Sequence, residues 1–200
     1  MPSDDEAERL RREFEAEQRA TAGAIGIGHD FRPDVTVYNQ ASGIIVASMK
    51  RDVPDAFEQR LFLRHRSERR YRPLGAPPPD IHRYDLITSP TLPAIYYTVH
   101  RVTKGEQPGE YGCDWLSIDR CELPNGDVES IVRKGELQLP EPYARGWVSK
   151  LFCVAPDESA IICSCGLERP EGGRVRYWLC SVVPRTQEVA LLSRLEGIWY

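Results

Sequence analysis

The sequence predicts a mostly β protein built from propeller-like antiparallel sheet units, with one N-terminal α-helix. Three observations carry this. From about Val35 onward, short runs of β-branched and aromatic residues alternate with period two. Turn residues separate these runs, among them Pro124-Asn125-Gly126, and an Asn-Gly pair between alternating segments is a strong hairpin signal. The hairpins also recur at a spacing of about 50 residues, which suits four-stranded blades.

Residues 3–20 read as a helix. Ser3 and Glu6 form a capping box, which satisfies two orphan backbone donors. Asp4 and Asp5 lie in the first turn, where the helix dipole favours negative charge. Glu8–Arg12 and Glu15–Arg19 are i,i+4 pairs in the favourable order. The apolar stripe is only Ala7, Leu10 and Phe14, so the helix is marginal alone and needs a surface to pack on. Gly23, Gly26, Gly28 and Pro33 mark residues 21–34 as a linker. This divides the chain into an arm, 1–34, and a β domain, 35–200.

In the β domain, Ile95, Tyr97 and Val99 fall on one face of a strand, with Tyr96, Thr98 and His100 on the other. In a later strand, Val175, Tyr177 and Leu179 oppose Arg176, Trp178 and Cys180. Residues 115–121 and 128–133 flank the Asn-Gly turn. Pro156-Asp157 turns the chain between 151–154 and 160–164, and residues 184–186 turn it between 182–184 and 187–192. Three units emerge, 42–79, 89–137 and 146–195. The Pro-rich stretch 74–82 and residues 138–146 connect them.

The segment Cys153-Val154-Ala155-Pro156-Asp157-Glu158-Ser159-Ala160-Ile161-Ile162 resembles the S-P-D-x-x-x-I strand–turn–strand of TolB-type and WD40-like propeller repeats. Residues 175–195 are similar to the outer hairpin of such a blade. Ser89-Pro90-Thr91 followed by 95–99 is a looser version, and 42–79 is looser still. The resemblance implies a propeller-like scaffold. A closed propeller usually has at least about four blades, and this chain has room for three. The units therefore form an open stack, half of a ring closed by dimerisation, or a sandwich that mimics blade spacing. Open edges would need a cover, from the helix or a second chain.

Composition sets the outer limits. The chain has 200 residues, 41% hydrophobic and 28% charged, enough to bury a proper core. A net charge of −4 and a pI near 5.7 disfavour nucleic acid and anionic membranes as bulk partners. No apolar run approaches the roughly 20 residues of a spanning helix, and the charged start at Met1 lacks a signal-peptide core. The expectation is a soluble cytoplasmic protein with reduced cysteines. Arginine outnumbers lysine 22 to 4, which fits a GC-rich bacterial genome.

The chemistry-bearing residues mostly favour structural roles. Cys163 and Cys165 share a strand face with Cys153 and Cys180 near, but zinc pairs usually sit in turns, so packed thiols are expected, with no metal and no cofactor. His29, His65, His82 and His100 lack metal or triad spacing. The glycines at 23, 26 and 28 follow a helix and precede Asp30-Phe31-Arg32-Pro33, the wrong context for a phosphate cradle. No G-x-S-x-G occurs. Trp115, Trp147 and Trp178 read as core, and Ile198-Trp199-Tyr200 as a tail that docks in a groove or on a second subunit.

The sharpest feature is basic. Arg64, Arg66, Arg69, Arg70 and Arg72 fall within ten residues, with Tyr71 among them. On a strand, Arg64 and Arg66 share the face opposite Leu61, Leu63 and His65. Asp52, Asp55 and Glu58 are the nearest balancing acids. The leading functional expectation is a non-catalytic protein-interaction module, of the regulator, assembly-factor or toxin-neutralising kind. Its binding residues are Arg64, Arg66, Arg69, Arg70 and Tyr71, and loops such as 103–112 and 167–174 are also presented for recognition. Two others stand against it. One is an enzyme with a loop-built site using His29 or His100. The other is a self-assembling homo-oligomer joined through its sheet edges.

Overall fold

The computed structural model describes residues 32–53, 56–75, 80–104 and 111–196. The helix expected over 3–20, His29 and the glycine-rich segment, the balancing Asp55 and the tail 198–200 lie outside the described residues.

Twelve strands form three four-stranded antiparallel meanders, and there is no helix among the described residues. The first sheet contains β1 (Arg32–Asn39), β2 (Ile44–Val53), β3 (Ala56–His65) and the two-residue β4 (Arg72–Pro73). The second contains β5 (Ile81–Thr88), β6 (Ala94–Lys104), β7 (Tyr111–Glu122) and β8 (Val128–Arg133). The third contains β9 (Arg145–Val154), β10 (Ile161–Glu168), β11 (Arg176–Val183) and β12 (Glu188–Arg194). The leading strands of the sheets are neighbours: β1 lies against β5, and β5 against β9.

The alternation read from the sequence explains how the sheets stack. Ile95, Tyr97 and Val99 of β6 face the first sheet and join Val46, Leu61 and Leu63 in one core. Ala94 and Tyr96 point the other way. With Trp115, Ile118 and Val132 they pack on Ile161, Cys163, Cys165 and Leu167 of β10. The middle sheet is thus buried on both faces, which is why β6 reads as a nearly continuous apolar run. A smaller cluster, Ala47, Met49 and Phe62, lies on the far face of the first sheet, with Tyr71 against it.

Two strands escape the simple pattern. β5 carries a bulge between Tyr84 and Ile87, with Asp85 at φ 54°, so its alternation shifts partway and its polar His82-Arg83-Tyr84-Asp85 stretch reads as linker. The second unit accordingly starts at Ile81 rather than 89. β9 has two register shifts against β10, which scramble the periodicity between Trp147 and Cys153. At the N-terminal end, β1 pairs from Arg32↔Lys50 onward, inside the segment read as linker.

Polar ties join neighbouring sheets at one end. The buried Asn39, at the end of β1, donates from Nδ2 to Thr88 Oγ1 (2.8 Å) and Leu92 O (2.8 Å), with Ala94 O at 3.1 Å and Ser89 O at 3.3 Å. Its Oδ1 accepts from Ser42 N and Ser42 Oγ, both at 2.8 Å. The corresponding β5–β6 turn reaches the third sheet through Thr91 Oγ1, which donates to Pro156 O. Gln59, also buried, donates to Ser48 Oγ and accepts from Arg83 N, tying β3 to β5.

The outer edges are short or covered, as sheet edges must be to avoid stray pairing. β4 has two residues. The connection after β8 lays Gln138 beside β12: Gln138 N donates to Gln187 O, and Val189 N donates to Gln138 O.

Candidate functional site

The arginine-rich segment forms the connection from β3 to β4. Its conformation follows from local contacts. His65 N donates to Glu68 Oε2 (3.0 Å), Arg64 Nη1 donates to Glu68 O (2.9 Å), and Arg66 N donates to Gly43 O (2.9 Å). Gly43 has φ +68°, and a Cβ there would sit 2.9 Å from His65 Nε2, so both backbone and space demand glycine. The Arg64 guanidinium lies 5.1 Å from the centre of the Tyr71 ring, and Tyr71 in turn packs on the Phe62 cluster. The strand ends at His65, so Arg66 belongs to the turn rather than to a strand face shared with Arg64. Arg66, Arg69 and Arg70 are exposed and make no ion pair among the described residues. Arg72 Nη2 reaches Pro124 O of the second sheet at 3.3 Å.

Two clefts open between the second and third sheets, at opposite ends. The first, about 570 Å³, holds Tyr96, Arg120 and Glu158. Tyr96 OH donates to Glu158, and Arg120 bridges Glu158 (3.2 Å) and Glu122 (2.7 Å). Burial first, then the hydrogen bond and charge of Glu158, push the Tyr96 phenol up and keep it protonated. Glu158 sits in the β9–β10 turn at φ 57°, where Asp157 accepts from Ser159 N and Oγ. Tyr96, Arg120 and Glu158 are paired with one another, and this network clamps the two sheets together.

The second cleft, about 840 Å³, is different. His100 and Trp115 are direct cross-strand partners on β6 and β7, so their side chains stand together on the face toward the third sheet. Cys113 lies two residues before Trp115, and its Sγ is 3.4 Å from His100 Nδ1. Trp147 and Tyr177 form the opposite wall, with ring centres 6.5 Å apart at 89°. The Lys134–Asp114 ion pair (2.5 Å) closes one side, and Arg145 and Glu168 stand at the mouth. Trp115 is only 3% exposed, yet among the described residues its Nε1 finds no hydrogen-bond partner, and neither does His100 Nε2.

Burial pulls the His100 pKa down to about 4, with His82 adding to the effect and Asp114 opposing it. The Cys113 thiol is pushed up by burial and by Asp114. The pair is therefore uncharged at neutral pH. This gives a direct test. The unfolded chain takes up a proton at His100 near pH 6.5 and the folded chain only near 4. The His100 contribution to stability is complete above pH 6.5 and is lost as pH falls toward 4. In urea titrations at pH 7, 6 and 5, His100→Gln should flatten the wild-type decline across this window. An equal decline in both proteins would show that another group titrates.

Among the described residues the three histidines do not form one cluster. His82 and His100 are cross-strand partners on β5 and β6, whereas His65 sits at the arginine-rich turn beside Ser67 Oγ (2.6 Å). Neither His65 nor His100 donates to a carboxylate among the described residues. Cys163, Cys165 and Cys180 are buried in the core between the second and third sheets, and Cys163 and Cys165 Sγ are 3.6 Å apart. Among the described residues no group of three or more His, Cys, Asp or Glu is placed to hold a metal ion. No helix among them is long and apolar enough to cross a membrane. The cleft of Trp115 and Trp147 was hidden in the sequence. Its aromatics read as core, and only the cross-strand register, with the bulge between Val99 and His100, brings His100 beside Trp115.

No protein-family model and no curated protein matches the chain. Solved structures do. An oligogalacturonate lyase in complex with manganese superimposes with a TM-score of 0.50 at 12% identity, covering 83% of this chain and 43% of that one. The scaffold is propeller-like. A GH74 xyloglucanase from Xanthomonas campestris matches at a TM-score of 0.46 and 15% identity, over 86% of this chain and 24% of the other. The chain spans less than half the length of either structure. At such identities the likeness concerns the fold alone.

Proposed function

We propose that this propeller-like scaffold is a non-catalytic interaction module that docks an acidic protein surface on its arginine-rich turn. The observation that carries this reading is the turn itself. Arg66, Arg69 and Arg70 project from a connection held by the Glu68 hydrogen bonds and by Arg64 on Tyr71, with no acidic partner of their own among the described residues. Guanidinium groups suit bidentate recognition of carboxylates, and a held backbone turn fixes where these three side chains start. Arg64 and Tyr71 support the turn, and Arg66, Arg69 and Arg70 make the contacts. The overall negative charge opposes wrapping by nucleic acid and leaves the turn as a local positive patch.

The alternative of acid–base catalysis at His100 gains less support. A base is most effective with a pKa near the working pH, and His100 lies well below it, with a thiol rather than a carboxylate at Nδ1.

The test is fluorescence anisotropy with labelled poly-L-glutamate, using duplex DNA of similar charge as the comparison. The full chain should bind polyglutamate with an affinity that falls steeply as salt rises. The charge reversals Arg66→Glu, Arg69→Glu and Arg70→Glu together should abolish it, because all three positions are exposed and the fold does not depend on them. Polyglutamate binding that survives the triple reversal would remove the turn from the function. Tighter binding to DNA than to polyglutamate would replace the protein partner with nucleic acid.

A further inference from the structure

We infer that the far face of the first sheet, at Ala47, Met49 and Phe62, is the docking surface for the chain's own N-terminal segment, residues 3–20, whose Ala7, Leu10 and Phe14 stripe lies across β2 and β3. Ala47 and Phe62 are each 1% exposed and Met49 0%. Yet the second sheet packs on the opposite face of the first, through Leu86, Ile95 and Tyr97. The third sheet lies beyond the second. Among the described hydrophobic residues outside the patch, only Tyr71 packs against it. One ring at the margin cannot enclose three side chains on two strands. The rest of the cover comes from outside the described residues.

The pattern of exposure gives the width of that cover. Thr36 pairs with Ala47 and Tyr38 with Ile45, so both stand on the same face as the patch. Thr36 is nevertheless exposed, and Tyr38 is 44% exposed. The cover therefore lies over β2 and β3 and stops short of β1. A fourth sheet stacked there, from a partner or from a second copy, would bury β1 as well. A single helix is about 10 Å across and spans about two strands at their spacing of about 4.8 Å.

Reach selects the segment. Residues 54–55 only close the β2–β3 hairpin, where Val53 pairs with Ala56. Residues 76–79 join β4 to Ile81, which packs on the opposite face. Residues 105–110 connect β6 to β7 in the second sheet. Residues 197–200 follow β12 of the third sheet and extend at most about 14 Å, whereas the far face of the first sheet lies about two sheet spacings of roughly 10 Å away. The N-terminal segment leads directly into β1, where Pro33 is the partner of Met49. Residues 21–31 extend up to about 35 Å, more than enough to return residues 3–20 over β2. On a helix, Ala7 to Phe14 covers about 10 Å, close to the roughly 8 Å diagonal from Met49 to Phe62. Charge agrees with this placement. Arg60 pairs with Met49 and Arg64 with Ile45, so both border the patch on its own face. Residues 3–20 carry seven acidic side chains against four arginines.

Docking of this segment and polyglutamate binding at Arg66, Arg69 and Arg70 are separate events with separate readouts. Met1 and Met49 are the only two methionines, so oxidation of Met49 by hydrogen peroxide, followed by peptide mass spectrometry, reports whether the patch is covered. In the full chain, Leu10→Asp together with Phe14→Asp should speed Met49 oxidation by roughly tenfold or more, with tryptophan emission unchanged as the sign that the sheets stay folded. An unchanged oxidation rate would overturn the docking. Should the double variant unfold, a photocrosslink in the otherwise unaltered chain decides. With p-benzoylphenylalanine in place of Phe14, irradiation should join position 14 to a peptide containing Met49 or Phe62. Crosslinks that miss both would overturn the docking. In an equal mixture of ordinary and ¹⁵N-labelled chains, the joined peptides should carry a single isotope. Mixed-isotope pairs would also overturn it, and would give the patch to the segment of a second copy.

Discussion

Replacing Asn39 by alanine should lower the free energy of unfolding by about 3 kcal/mol, the sum of several buried hydrogen bonds lost at once. The side chain is fully buried and joins two sheets. Its amide reaches the β5–β6 turn of the second sheet, and its carbonyl holds the β1–β2 turn of the first through Ser42. Alanine cannot answer Ser42 N or Thr88 Oγ1. Asn39→Asp separates hydrogen bonding from packing. It keeps the shape but sets a carboxylate against the oxygens of Thr88, Ser89, Leu92 and Ala94, so it should cost at least as much as alanine at neutral pH. Urea unfolding followed by tryptophan fluorescence measures both. A loss below about 1 kcal/mol for Asn39→Ala would mean that the Asn39 hydrogen bonds add little to the joining of the first two sheets.

The second large effect is expected at Gly166. It lies in the interior of β10, directly opposite Trp147 on β9. A Cβ there would meet Trp147 Cζ2 at 2.5 Å and Cε2 at 2.6 Å. These are ring atoms, not the end of a flexible chain, so the indole must leave its position. Overpacking of this kind costs typically 1–3 kcal/mol, and Gly166→Ala should fall at the upper end. The displacement also moves a wall of the larger cleft. The check is a double-mutant cycle with Trp147→Leu. The alanine should cost much less once the indole is gone, giving a coupling of about 1–2 kcal/mol. Additive losses would mean that the glycine serves the backbone rather than the ring.

Both residues show what could and could not be read in advance. The sheet units were legible because β6 and β11 are rich in β-branched and aromatic residues and the turns carry Pro, Asn and Gly. In the third unit the turn at Pro156-Asp157 joins β9 to β10 and the turn at 184–187 joins β11 to β12, as expected. β5 was not legible, since Asp85 and the bulge disrupt its period, and a polar innermost strand looks like a linker. The roles of Asn39 and Gly166 could not be read at all. A lone asparagine before a turn suggests local capping, and a lone glycine in a strand suggests a bulge. Their real partners are about 50 residues away in one case and an aromatic ring across the pair in the other. The arginine cluster stood out by composition, whereas the division of labour within it depends on where β3 ends. Arg64 turns inward to Tyr71 because it shares the strand face of Phe62, and its neighbours beyond His65 do not.

The pairing order has a consequence for how the chain acquires its structure. Within each sheet, strands pair only with their neighbours in sequence. No strand waits for a distant partner, so each sheet closes through short loops at modest entropic cost. During synthesis a sheet can therefore zip up once its fourth strand has left the ribosome. The ties that span many residues, Asn39 to the β5–β6 turn, Arg72 to Pro124, and Tyr96 and Arg120 to Glu158, all run between sheets. They come last in such an order, docking units whose edges and faces are already formed, from the first sheet to the third.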